Sequence, residues 1–131
     1  MLGALQEAIL ELMLTGAPDK AIAARLGVTE RTVQRRVRTL MTAVGAGNRM
    51  QLGTFAERRG MTVPVATCEH PDETEVLLLK LLMAGLPERS VAAGLEIGYR
   101  TVQRRIRRLM AMVGAANRVQ LGWHAEHNGW I

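Results

Sequence analysis

The hexapeptide RTVQRR at Arg31–Arg36 returns at Arg100–Arg105, 69 positions further on. Displacing the sequence by that interval lays nearly the whole chain over itself without a gap. RTVQRRVRTLMTAVGAGNRMQLGTFAERRG falls on RTVQRRIRRLMAMVGAANRVQLGWHAEHNG, with about two-thirds of the positions identical. Such a self-match constrains the fold strongly, because both copies must suit the same local structure. Upstream, TGAPDKAIAARLGVTE falls on AGLPERSVAAGLEIGY with weaker identity and the same apolar spacing. The expectation is two homologous units, residues 1–60 and 73–131, each near the small end for a core of its own. Residues 61–72, MTVPVATCEHPD, lack helical periodicity and read as a linker.

Each unit is expected to be four helices. Leu5, Ala8, Ile9, Leu12 and Met13 recur at helical spacing. Pro18 suits the first turn of a second helix, with Asp19 at its positive end and Gly27 as a left-handed cap. Thr29 is a good N-cap for a third helix, whose apolar face is Val33, Val37, Leu40, Met41 and Val44 and which should stop near Gly45. A short fourth helix runs from near Asn48 to Gly60. No window alternates with period two, so no strands are expected and the fold class is all-α.

Two helices joined by only Gly27, Val28 and Thr29 form a helix-turn-helix pattern. On the third helix Arg31, Arg35, Arg38 and Thr42 lie opposite the apolar stripe, with Gln34 at its flank. An Arg/Gln face of this kind suits the major groove: arginine bonds guanine in bidentate fashion and glutamine pairs with adenine. A solvated basic face is the bland account of one such helix. Its recurrence at Arg100, Gln103, Arg104, Arg107 and Arg108, with a net charge of +5, favours a polyanionic partner. Aromatic residues make up 3% of the chain, too few for base-stacking platforms to dominate. One cysteine, Cys68, precludes a disulfide within the chain and fits a reducing, cytoplasmic location. No apolar run is long enough to span a membrane, and no signal peptide is visible.

The stretch DKAIAARLGVTERTVQRRVRTLMTAVGAGNRMQL resembles the LuxR/GerE-type helix-turn-helix domain of bacterial transcription regulators. The likeness rests on IAARLG, the threonine helix start, RTV, a leucine in the third helix and G…NR…QL opening the fourth. It extends more loosely to the second unit. It implies duplex-DNA binding, usually in pairs, through the third helix. Groove-facing residues would be Gln34, Arg35 and Arg38, matched by Gln103, Arg104 and Arg107. Thr32 and Thr101 would sit against phosphate; Lys20, Arg31, Arg49, Arg100 and Arg118 are further phosphate candidates. The family usually has a basic residue where Gln34 and Gln103 stand, so base preference does not transfer.

The second unit departs from the pattern. Glu96 replaces the capping Gly27, Gly94 replaces Arg25 and Gly98 replaces Thr29, which predicts a reshaped turn and a weaker reader, or a unit serving mainly assembly. A protein-interaction module that modulates another regulator is the alternative to a DNA-binding regulator. Met50, Gly53, Thr54 and Glu57 fall on Val119, Gly122, Trp123 and Glu126, and Trp123 has three expected positions: over helix one, against the first unit's fourth helix, or against another chain. Because the family pairs through this helix, Val119, Gly122 and Trp123 are expected to form a homodimer interface. His124 and His127 are expected at the surface, with no third metal ligand evident. No catalytic constellation, cofactor or small-molecule ligand is indicated.

Overall fold

The computed structural model describes residues 2–63 and 69–131. Cys68 and the middle of the expected linker lie outside the described residues. The described chain forms α1 (Ala4–Leu14), α2 (Asp19–Leu26), α3 (Glu30–Val44), α4 (Arg49–Arg58), α5 (Glu73–Met83), α6 (Glu88–Leu95), α7 (Tyr99–Val113) and α8 (Arg118–His127), with no strand among the described residues. The lengths run 11, 8, 15 and 10 residues, then 11, 8, 15 and 10 again.

The helix ends follow from local chemistry. Thr29 caps α3 by accepting from the Thr32 amide at 3.1 Å. Asn48 and Asn117 cap α4 and α8 through the amides of Gln51 and Gln120, each at 2.9 Å. Such caps satisfy amides that the first turn leaves without partners. Pro18 is the residue before α2, with extended backbone, and Asp19 opens the helix. Asp72, assigned to the linker by sequence, belongs to α5: it accepts from Glu75 N at 2.8 Å, and Glu75 Oε1 accepts from Asp72 N at 2.9 Å. These bonds form a reciprocal capping box. The Glu75 amide and Arg105 hold the Asp72 carboxyl below its ordinary range, against the opposing effect of burial.

The turn between α6 and α7 is not reshaped. Glu96 adopts the left-handed cap at φ 55°, ψ 39°, beside 69°, 32° for Gly27. Its N–H still reaches the carbonyls of Ala92 and Ala93. The surrounding helices therefore impose the backbone and the glutamate carries the strain, about 1 kcal/mol. Glu96→Gly is expected to stabilise the chain by about that amount. An unchanged or lower thermal midpoint would show the left-handed cap to be unstrained.

The two sets of four helices interlock. The core around Ile9, Leu10, Met13, Val33, Val37, Leu40 and Leu52 includes Val119 and Trp123 from α8. The core around Leu78, Leu79, Leu82, Val102, Ile106, Leu109 and Leu121 includes Met50 from α4. Helices α4 and α8 cross at Gly53 and Gly122. A Cβ on Gly53 would fall within 3.0 Å of the Val119 carbonyl, and one on Gly122 equally close to the Met50 carbonyl.

Polar contacts repeat with roles exchanged. Asn48 donates to Leu82 O and Asn117 to Met13 O, each at 2.7 Å. Gln51 donates to Met83 O at 2.5 Å and Gln120 to Leu14 O at 2.8 Å. Arg58 meets Glu126 at 2.5 Å, while His127 lies 3.5 Å from Glu57. Each pair is related by the same 69-residue interval. This reciprocity is the pattern of an isologous two-fold contact, here formed within one chain.

Val119, Gly122 and Trp123, expected at an interchain contact, are covered within the chain. Trp123 is 3% exposed, and its indole N–H donates to Met61 O at 2.7 Å. The chain's own α4 and first core cover these residues. Met61 and Val63, also assigned to the linker, pack against the same core.

His124 likewise departs from its expected surface position. It is 2% exposed and its Nδ1 has no hydrogen-bond partner among the described residues. Trp123 meets it edge-on and stacks on His127 at 4.5 Å. Burial, then the neighbouring His127, pushes the His124 pKa below 6.5. The unfolded chain therefore takes up this proton more readily than the folded one, and stability falls as pH drops through about 6.5 toward the depressed folded value. Phe55 occupies the matching place in α4, so His124→Phe should flatten the acid limb of a pH series of thermal midpoints. A limb unchanged in the variant would assign the acid sensitivity to other groups.

Candidate nucleic-acid interface

Burying Val33, Val37 and Leu40 turns the opposite side of α3 outward. Arg31, Gln34, Arg35 and Arg38 are all exposed there. On α7, burial of Val102, Ile106, Leu109 and Val113 likewise leaves Arg100, Arg104 and Arg107 exposed, with Gln103 half-buried. Glu30 is the one acidic residue in α3, and α7 has none. The expected base-contacting residues thus gather on one face of each 15-residue helix.

Several cations in or near these helices already have partners. Arg49 forms a bidentate pair with Asp19, both bonds at 2.8 Å, and Arg118 meets Glu88 at 3.0 Å. These two expected phosphate contacts tie α4 to the start of α2 and α8 to the start of α6. Arg105 bonds Asp72 at 2.9 Å and Arg108 bonds the buried Glu75 at 3.2 Å, pinning α7 to the capping box of α5. The matching positions in the first set are Gly3 and Gln6, which carry no charge.

Among the described residues, Lys20, Arg31, Arg35, Arg38, Arg100, Arg104 and Arg107 have no ion-pair partner. Their guanidinium and ammonium donors are free for an anion or a base edge. Thr32 is bound to Thr29, Oγ1 to Oγ1, at 2.9 Å, while Thr101 is half-buried near Gly98. Gln103, Arg107 and Arg118 border one shallow recess together with Glu88.

Arg89 lies outside the set of residues expected from sequence to meet DNA. Its guanidinium lies 4.3 Å from the centroid of the Tyr99 ring at the start of α7. The available signal was the pairing of Tyr99 with Glu30 and of Arg89 with Lys20 across the 69-residue repeat.

A short turn setting α3 against α2, with a basic outer face, defines a helix-turn-helix domain. Residues 2–56 match the family described as bacterial regulatory proteins, luxR family. This part of the chain is similar to that family of DNA-binding transcription regulators. No curated protein and no solved structure matches the chain. Among the described residues no helix is long and apolar enough to cross a membrane.

Proposed function

We propose that the chain is a sequence-specific double-stranded DNA-binding transcription regulator with two helix-turn-helix units, residues 1–60 and 73–131, and two recognition helices. The observation that carries this is the reciprocal α4–α8 contact, which joins two exposed Arg/Gln helices within one chain. Gln34, Arg35 and Arg38 read one half-site, and Gln103, Arg104 and Arg107 read the other. Lys20, Arg31 and Arg100 hold phosphates. Because the two triads match and their supports are related as by a two-fold axis, the half-sites are inverted copies. The left-handed cap retained at Glu96 supports a second unit that reads DNA over one that only assembles.

The test is duplex binding as a function of salt. Neutralising several phosphates releases counterions, so log affinity should fall steeply with log salt, by about 0.9 per phosphate contacted. Micromolar protein without duplex binding at low salt would defeat the proposal and return the protein-interaction alternative.

A further inference from the structure

The two halves of the proposed interface differ at one corner. In the first half α3 opens on Glu30, an exposed acid, with Lys20 at the start of α2. In the second half the corresponding residues are Tyr99 and Arg89. Tyr99 packs against the core formed by α5–α8, and Arg89 lies over its ring at 4.3 Å. Arg89 is exposed and has no ion-pair partner among the described residues. The neighbouring Glu88 is taken up by Arg118 at 3.0 Å.

A guanidinium resting over a ring keeps the N–H donors on its outer side free, and these match the oxygens of a phosphate. The stack restricts the side chain before binding, so less rotamer entropy remains to be lost on contact. Lys20 has no comparable support, and Glu30 repels the phosphates that a helix start would otherwise attract. A second, independent difference acts in the same direction. Arg105 and Arg108 fasten α7 to Asp72 and Glu75, while the matching Gly3 and Gln6 provide no such anchor for α3.

We propose that Arg89, held on Tyr99, is a phosphate clamp on the DNA backbone that makes the second helix-turn-helix the tighter anchor of the two. This rests on the DNA-binding function proposed above and reverses the expectation of a weaker second unit. The first unit, with its less restrained helix, then adds discrimination to a chain already held at the second.

The experiment is fluorescence anisotropy of the full chain on a mixed-sequence duplex of about 30 base pairs, over a salt series. Arg89→Ala should weaken binding about tenfold and make the log–log salt slope shallower by about 0.9, one phosphate's share. Lys20→Ala should cost less than about threefold, and Glu30→Gln should strengthen binding. Tyr99→Phe should keep wild-type affinity, while Tyr99→Leu should lose part of what Arg89→Ala loses. Circular dichroism checks that each variant folds, and Arg89→Ala with Tyr99→Phe decide the matter should the leucine variant unfold. Equal losses for Arg89→Ala and Lys20→Ala, or an unchanged salt slope for Arg89→Ala, would overturn the clamp. Failure of the wild type to bind any duplex would overturn the DNA-binding function itself, a distinguishable result.

Discussion

Gly53→Ala and Gly122→Ala are each expected to destabilise the folded chain by about 3 kcal/mol or more. A Cβ at either site would lie within 3.0 Å of a carbonyl oxygen on the facing helix. Backbone cannot step aside as a flexible side chain can, so α4 and α8 would have to separate. Separation would withdraw Trp123 from the first core and Met50 from the second, and would stretch the four Asn and Gln bonds that flank the crossing. Gly3→Ala is the control, since a Cβ there meets nothing within 4 Å. Thermal or denaturant unfolding checks the result. Midpoints within about 2 °C of wild type for both crossing variants would show that the helices part at little cost.

The individual helices were legible because their ends carry chemical signals. Gly27, Thr29, Gly45 and Asn48 mark boundaries that agree with the observed caps, and the Val33–Val37–Leu40 stripe gives the buried face of α3. What joins the two halves was only partly legible. A helical wheel places Met50, Gly53, Thr54 and Glu57 on one stripe, but periodicity does not say whether the covering surface belongs to the same chain. The decisive feature is the glycine at matching positions of both fourth helices, whose effect depends on three-dimensional approach. The loss of glycine at residue 96 suggested a changed turn because propensity is local, whereas packing on both sides fixes that backbone. His124 looked like a surface residue on polarity alone; its burial, beside Leu14 at the end of α1 and Met61 after α4, depends on tertiary packing that residue type does not encode. That Arg49, Arg105, Arg108 and Arg118 are engaged by acids from other helices was not legible, because those ion pairs join residues about 30 positions apart.

Arg35→Ala and Arg104→Ala are each expected to cost about 1–3 kcal/mol of binding to the preferred duplex site, and together about 2–6 kcal/mol. Both arginines are exposed, lack ion-pair partners among the described residues and occupy equivalent turns of α3 and α7. Their removal therefore leaves the cores intact and takes away only donors for a base edge. The cost should be sequence-dependent: Arg35→Ala relaxes discrimination in one half-site and Arg104→Ala in its inverted partner. Lys20→Ala, by contrast, weakens all sequences alike. Selection from a random duplex pool, followed by titration of each variant on the selected site, measures both effects. Sedimentation of the complex should give one chain per duplex, since the α4–α8 contact already unites two helices that would otherwise come from separate subunits. Two chains on a minimal site would overturn the pairing of both helices on one duplex, and arginine variants that lose affinity without a change in base preference would reduce these helices to electrostatic anchors. The test is sharp because matching residues in α3 and α7 must fail in mirrored positions of a single site, an outcome that general basicity does not produce.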